Sequence, residues 1–81
     1  MQNLTKNEKL FLSRLGEQIA AVRKQRGITQ VELGFRCDIE KSNMNRIEKG
    51  GTNPTIINLK KVCKELNFGL DELLKEIRDF S

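Results

Sequence analysis

Residues 29–51 read TQVELGFRCDIEKSNMNRIEKGG, and this stretch decides the fold of the 81-residue chain. It opens on a capping box, Thr29-Gln30-Val31-Glu32, in which a hydroxyl and a carboxylate three residues apart satisfy exposed backbone N–H groups. The box predicts a short helix through about Cys37, and a second helix is predicted over about 41–49, before two glycines. Only residues 38–40 separate the two helices, so they must cross at a steep angle, as in a helix-turn-helix.

Helical periodicity continues on both sides of this stretch and predicts an all-α, compact five-helix bundle. Upstream, Thr5-Lys6-Asn7-Glu8 is another capping box, and it opens a long first helix that ends before Gly27. Downstream, Thr55 is the predicted N-cap of a fourth helix that ends at Asn67, and a fifth helix follows from Leu70 to about Phe80. The predicted buried stripes are Phe11, Leu15, Ile19 and Val22 in the first helix, Ile56, Leu59, Val62, Cys63 and Leu66 in the fourth, and Leu73, Leu74 and Ile77 in the fifth.

Length and composition predict a single folded domain over residues 1–81. Apolar residues make up 37% and charged residues 32% of the chain, as in a folded helical domain. No run approaches the ~20 apolar residues of a membrane span, and the N-terminus lacks the apolar core of a signal peptide. We therefore expect a cytoplasmic protein with no membrane and no small-molecule partner, and no ligand-binding or self-cleaving domain after this one.

The same composition argues against an enzyme and against a metal site. The chain has no histidine and no tyrosine. Its serines, Ser13, Ser42 and Ser81, lack a neighbour that would activate a nucleophile. Cys37 and Cys63 alone cannot supply the four ligands of a structural zinc site. We expect no cofactor and no metal, and both cysteines as small core residues, with a redox-sensing pair as the unsupported alternative.

Charge is distributed unevenly along the chain, whose net charge is +4. Residues 23–64 hold ten basic and four acidic side chains, whereas residues 65–81 hold two basic and five acidic ones. A basic middle segment beside an acidic end suits a polyanion on one face. Many solvated helices also carry lysine without binding anything, so this distribution alone is weak evidence.

The predicted 41–49 helix has an apolar side and a polar side. At about 100° per residue, Met44, Ile47 and Glu48 fall together on the inner side. A solvated surface helix usually mixes glutamate with lysine, whereas the outer side of this helix has no carboxylate. Arginine can bond both O6 and N7 of guanine, and asparagine can bond N6 and N7 of adenine. The pattern indicates DNA recognition, with a plain surface helix as the alternative. The outer side consists of Lys41, Ser42, Asn45, Arg46 and Lys49.

An ordered set of short motifs resembles the phage-repressor (Cro/repressor, XRE-type) helix-turn-helix family, whose fold is the lambda repressor-like domain. The resemblance covers about residues 15–74, with residues 1–14 as an N-terminal extension of the first helix. The motifs are Thr29-Gln30, Leu33-Gly34, Ile39, Ser42, Ile47-Glu48-Lys49-Gly50, Asn53-Pro54 and Leu70-Asp71-Glu72-Leu73-Leu74.

This resemblance implies a transcriptional regulator that binds double-stranded DNA with the 41–49 helix in the major groove. It implies that Lys41, Ser42 and Arg46 read bases, with Asn45 beside them. Further implied residues are the phosphate-binding set, which is Gln30, Asn43, Lys49, Thr52 and Asn53, and a structural ion pair, which is Arg23 with Glu48. The duller role for Gln30 is that of a helix-start residue.

Three positions depart from the family pattern. Gly34 stands where alanine is usual, and Asp38 replaces a turn glycine, although aspartate tolerates the left-handed conformation. Glu40 replaces a Ser, Thr or Asp cap and is a poor N-cap. Phe35 either packs under the first helix or is exposed as a contact.

The resemblance also implies a homodimer on a near-palindromic operator. Its predicted surface is apolar and consists of Phe68, Leu70, Leu73, Ile77 and Phe80. The alternatives are that these residues close the core of one chain, or that the first helix forms the interface.

The regulated system implied by the resemblance is that of a phage-type repressor, an antitoxin or a restriction-modification controller. A partner protein, such as a toxin or RNA polymerase, is possible in each case. The rival function is a protein-binding adaptor that keeps the fold without the DNA contact.

Overall fold

Five helices in chain order make up the fold, and the computed structural model describes residues 3–77. They are α1 (Lys6–Gln25), α2 (Gln30–Cys37), α3 (Lys41–Glu48), α4 (Ile56–Leu66) and α5 (Leu70–Lys75). Residues 3–77 contain no strand, so the predicted all-α, five-helix fold is confirmed. None of the helices in this part of the chain has the length and apolar character that crossing a membrane requires.

The two predicted capping boxes form to different extents. At α1, the Thr5 hydroxyl accepts a hydrogen bond from the Glu8 N–H, and the Glu8 carboxylate accepts one from the Thr5 N–H. At α2, the Thr29 hydroxyl caps the N–H of Glu32, but the Glu32 carboxylate turns to Arg36 at 2.9 Å. A charged donor one turn later competes with the neutral backbone N–H. The second box is therefore only half formed.

Left-handed residues end the helices where the sequence predicts them. Asp38 ends α2 with φ 56° and ψ 44°, and Asn67 ends α4 with φ 52° and ψ 50°. The C-terminal end of α4 is also bound by the C-cap residue of α1, because Nε of Arg26 donates to the carbonyl of Leu66 at 2.9 Å. This bond satisfies one of the carbonyls that the last turn of a helix leaves without an intrahelical partner.

The prediction that the fifth helix reaches about Phe80 is wrong, because α5 ends at Lys75. The N–H of Ile77 donates to the carbonyl of Leu74 at 3.1 Å, so the chain tightens from i→i−4 to i→i−3 bonding. Ile77 is buried after this turn. Phe80 lies outside the described residues.

The core lies where α1 packs on α3 and α5, α2 packs on α3 and α4, and α4 packs on α5. Three predicted core residues are not in it, since Ile56 is 61% exposed, Leu74 is 37% exposed, and Phe11 is only partly buried against the core. Periodicity identifies the face of a helix that carries a side chain, but it does not show whether a neighbour covers that face near the helix end. The core consists of Leu12, Leu15, Ile19, Val22, Leu33, Cys37, Ile39, Met44, Ile47, Leu59, Val62, Cys63, Leu66, Leu73 and Ile77.

Helix α1 lies against the C-terminal end of α3 at Gly16. A Cβ atom at this position would overlap the carbonyl oxygens of Ile47 and Glu48, which are backbone atoms and cannot rotate away. The absence of a side chain at Gly16 therefore sets the distance between α1 and α3.

We predict that Gly16→Ala lowers the free energy of unfolding by about 1–3 kcal/mol, the usual cost of overpacking, despite alanine's better helix propensity. Urea denaturation monitored by circular dichroism measures this change. Gly51→Ala is the matched control, since a Cβ there meets only Arg46 atoms at ordinary contact distance. Equal stability of the Gly16 and Gly51 variants would show that α1 and α3 separate without cost.

Candidate nucleic-acid interface

Helix α3 is held from one side and open on the other. The residues predicted for the inner side of this helix are buried, and they are Met44, Ile47 and Glu48. Lys41, Ser42, Arg46 and Lys49 are exposed, and Asn45 is half-buried. The outward row contains no carboxylate, because the one acidic residue of α3 is the buried Glu48. We call this row the α3 outer face.

A buried ion pair fixes the inner side of α3 to α1. Nε of Arg23 lies 2.7 Å from Oε2 of Glu48, and Nη2 of Arg23 lies 3.0 Å from Oε1. Nη1 of Arg23 also donates to the carbonyl of Ile28 at 2.9 Å. The predicted pair is confirmed, and its two parallel bonds give it a fixed orientation.

Gln30 joins this pair, which the sequence did not predict. Its Nε2 donates to Oε1 of Glu48 at 2.9 Å, so the side chain is held between α2 and α3. Gln30 is half-buried, and its bond to Glu48 gives it a role beyond that of a residue that only begins a helix. No sequence pattern could have revealed the bond, because residues 30 and 48 lie on different helices and are joined only by the turn geometry.

The structure brings part of the predicted site together. Gln30, Lys41, Ser42 and Asn45 line one shallow depression where α2 meets α3. Asn53 instead lines a groove with the beginning of α1, outside this depression. The remaining predicted phosphate-binding residues lie elsewhere on or beside α3: Asn43 and Thr52 are half-buried, and Lys49 is the exposed C-cap of α3.

The turn between α2 and α3 is tightly packed. The N–H of Ile39 donates to the carbonyl of Gly34 at 2.8 Å, and a Cβ on Gly34 would lie 2.6 Å from the Ile39 carbonyl oxygen. The glycine that departs from the family pattern therefore suits this turn better than alanine would. Glu40 makes no side-chain cap bond to α3, which confirms it as a poor N-cap.

Residues 19–73 match the model of a protein family described as helix-turn-helix. The match covers more than half of the chain and includes α2, the turn, α3 and α4. The chain belongs to the helix-turn-helix family of DNA-binding transcriptional regulators.

Two relatives from this helix-turn-helix family are regulators by name. The immunity repressor protein of Bacillus phage phi105 is 31% identical over 62 residues, which are 76% of this chain and 43% of the repressor. The chain thus spans less than half of the repressor's length. The HTH-type transcriptional regulator y4dJ of Sinorhizobium fredii is 30% identical over 60 residues, which are 74% of this chain and 78% of y4dJ.

Solved structures of regulators superpose on the chain as well. The restriction-modification controller protein C.AhdI from Aeromonas hydrophila matches with a TM-score of 0.74 at 26% identity, over 76% of this chain and 94% of C.AhdI. The clp gene regulator ClgR from Corynebacterium glutamicum matches with a TM-score of 0.81 at 22% identity, over 85% of this chain and 73% of ClgR, which shows the shared fold. The named relatives are regulators rather than enzymes.

The predicted dimer surface of this helix-turn-helix protein needs correction. Leu73 is 1% exposed and Ile77 is 3% exposed, so both close the core of their own chain and offer almost no surface to a second copy. Phe68 and Leu70 are half-buried and keep part of their surface free. Phe80 lies outside the described residues. The apolar side of α5 that holds Leu73 faces the core, and Ile77 follows it there after the helix ends.

Phe35 is the most exposed large apolar residue among residues 3–77, at 87%. Of the two alternatives for Phe35, this exposure rules out packing under α1 and leaves an exposed contact residue. Val31, one helical turn earlier on α2, is also exposed, so the two side chains form a small apolar strip.

Both cysteines are free and buried, as predicted. Burial raises the pKa of the Cys37 thiol, the nearby Glu65 carboxylate raises it further, and Lys61 lowers it in part. Burial alone raises the pKa of the Cys63 thiol. A raised pKa lowers the thiolate fraction near neutral pH, and the thiolate is the reactive form. Residues 3–77 hold no cluster of side chains able to bind a metal ion.

We predict that both thiols react with a disulfide reagent such as DTNB about a hundredfold more slowly in the folded protein than in denaturant at pH 7.5. Burial limits access, and the raised pKa values leave few thiolates. Stopped-flow absorbance measures both rates. Because the thiolate fraction increases with pH, the folded-state rate should still be rising above pH 8.5. If DTNB reacted rapidly with either thiol of the native protein, the assignment of both cysteines to the core would be contradicted.

Proposed function

We propose that the chain binds double-stranded DNA in a sequence-dependent manner, with α3 in the major groove, and regulates transcription. The observation that supports this most directly is the α3 outer face, which is polar, free of carboxylates and open to solvent. Its anchoring residues Met44, Ile47 and Glu48 are buried, so the helix can meet DNA without giving up core contacts. Membership of the helix-turn-helix family supports the same function.

In this proposal Lys41, Ser42, Asn45 and Arg46 contact base edges. Arg46 is exposed in the last turn of α3, and its guanidinium can bond O6 and N7 of guanine together. The half-buried Asn45 amide is the matching group for adenine. Lys41 and Ser42 lie in the first turn of α3, which is the end that recognition helices present to the bases.

A second set of residues holds the sugar-phosphate backbone on either side. Gln30 begins α2, beside Lys41 and Ser42. Lys49 ends α3, and the chain after it leads to Thr52 and Asn53, one half-buried and one exposed. Such contacts set the register of the protein on the duplex without reading its sequence. Asn43 completes this phosphate-binding set.

The proposed assembly is a homodimer on a near-palindromic operator, because one domain covers a half-site and gives modest specificity. The free apolar surface near α5 supports an interface made by the exposed parts of Phe68 and Leu70 together with Leu74. A phage-type repressor, an antitoxin and a restriction-modification controller all fit this arrangement. The proposed compartment is the cytoplasm, where such a regulator meets its DNA.

A partner protein is part of the same proposal. The exposed strip of Val31 and Phe35 on α2 is the apolar surface that a toxin or RNA polymerase would cover. The competing function, a protein-binding adaptor without a DNA contact, would use this strip and leave the α3 outer face idle. The salt dependence of binding to duplex DNA separates the two, because only a DNA binder releases counterions.

We predict that Arg46→Ala weakens binding to the preferred operator by about 1–3 kcal/mol and relaxes the preference at one base pair. The operator is first selected from a pool of random duplexes, and affinity is then measured by fluorescence anisotropy. Lys49→Ala should weaken specific and random duplexes alike and reduce the salt slope by about 1. Lys75→Ala, an exposed lysine on α5, is the charge-matched control and should change neither. Equal losses on both duplexes for Arg46→Ala would remove Arg46 from the base-reading set.

We predict that Leu74→Glu raises the dimer dissociation constant about tenfold or more, because an interface leucine contributes about 1.5–3 kcal/mol when buried. Sedimentation equilibrium measures the constant. Leu10→Glu is the control, since Leu10 on α1 has a similar exposure of 42% against 37% for Leu74. If only the Leu10 variant dissociates, the interface is formed by α1 and not by α5.

A further inference from the structure

The Glu48 carboxylate accepts hydrogen bonds from two different helices. Arg23 on α1 binds both of its oxygens, and Gln30 on α2 binds Oε1. Glu48 itself is at the end of α3. One side chain therefore joins three helices at a point beside the α3 outer face.

The carboxylate also decides which way the Gln30 amide points. A glutamine amide has one acceptor oxygen and one nitrogen with two hydrogens. If the amide rotated by half a turn, its oxygen would face the Glu48 carboxylate and two acceptors would meet. The bond to Oε1 therefore keeps Nε2 turned inward and uses one of its hydrogens, while the second hydrogen remains to be donated.

Arg23 controls this arrangement from the far side. Its guanidinium holds both Glu48 oxygens, and its Nη1 binds the carbonyl of Ile28, two residues before α2 begins. Arg23 is buried and is not part of the α3 outer face. None of its hydrogen bonds described above goes to Gln30. Any effect of Arg23 on Gln30 therefore passes through Glu48 and through the segment that leads into α2.

We propose that Glu48 is a positioning residue for DNA binding: held by Arg23, it fixes the Gln30 amide so that the remaining Nε2 hydrogen is directed to a backbone phosphate oxygen. This inference rests on the proposed DNA-binding function and adds a role for the ion pair beyond joining α1 to α3. A donor fixed before binding loses less side-chain entropy when the phosphate arrives, so it increases affinity without a new contact.

A double-mutant cycle tests the proposal on the full chain. Affinity for the selected operator is measured for wild type, Gln30→Ala, Arg23→Lys and the double variant, all at one salt concentration and at a temperature where circular dichroism shows each to be folded. Lysine keeps the charge of Arg23 but cannot hold both carboxylate oxygens. Gln30→Ala should cost about tenfold in the wild-type background and about twofold in the Arg23→Lys background, because the amide is no longer held.

The matched control replaces Arg23→Lys with Arg36→Lys. Arg36 forms an exposed ion pair with Glu32 on α2 itself, so it shares a helix with Gln30 but not the carboxylate. The cost of Gln30→Ala should stay at about tenfold in this background. Equal costs in the wild-type and Arg23→Lys backgrounds would overturn the positioning role. If Gln30→Ala costs nothing while Arg46→Ala still weakens binding, the inference fails and the proposed function stands; if neither variant weakens binding, both fail.

If the Arg23→Lys variant does not fold, a measurement on the wild-type protein tests the same proposal. Side-chain ¹⁵N relaxation should give the Gln30 amide a clearly higher order parameter than that of Gln25, which is exposed on α1. This difference should be present without DNA, because the amide is fixed in the free protein. Equal mobility of the two amides in the free protein would show that Glu48 does not hold Gln30, and it would overturn the proposal.

Discussion

The structure depends on the buried contact between the carboxylate of Glu48 and the guanidinium of Arg23. Two charges taken from water are stabilising only when their geometry and remaining hydrogen bonds compensate for the lost hydration. Here the parallel bonds from Arg23 and the third bond from Gln30 satisfy the carboxylate, and no buried side-chain polar atom in residues 3–77 lacks a partner. A hydrophobic pair could fill the same space, but it would not fix an orientation. The ion pair is therefore best understood as a constraint on the angle between α1 and α3.

That constraint works together with a steric one. Gly16 lets the backbone of α1 approach the last carbonyls of α3, and the ion pair holds the same end of α3 through its side chain. At the other end, α3 follows a turn in which Asp38 is left-handed and Gly34 contacts Ile39 closely. An eight-residue helix is too short to be stable alone in water, so these tertiary contacts decide its position. The rigidity of the interface is a property of the packing around α3 and not of α3 itself.

Most of the fold could be predicted from the sequence because its signals are local. Thr5 and Glu8, which cap α1, are only three positions apart. The left-handed conformation of Asp38 and Asn67 is one that aspartate and asparagine tolerate through their own side chains. The ion pair was also predicted, but from family resemblance. What the sequence could not predict depends on neighbours distant along the chain. The Glu32 carboxylate binds Arg36 instead of completing the capping box. Within residues 3–77, no neighbouring helix covers Ile56 or Leu74. Helix α5 ends at Lys75, and Ile77 beyond it is buried in the core. The bond from Gln30 to Glu48 belongs to this second group.

The division of α3 into an anchoring side and an open side has a consequence for how such a domain can change. Met44, Ile47 and Glu48 supply the contacts that hold the helix, and Gly16 gives them room. Lys41, Ser42 and Arg46 contribute none of these contacts, so replacing them changes the chemistry offered to a duplex at little cost in folding free energy. Gln30 is the exception, because its amide serves both the internal network and the outer surface. A change at residue 30 therefore affects the network and the surface together, whereas a change at residue 46 affects the surface alone.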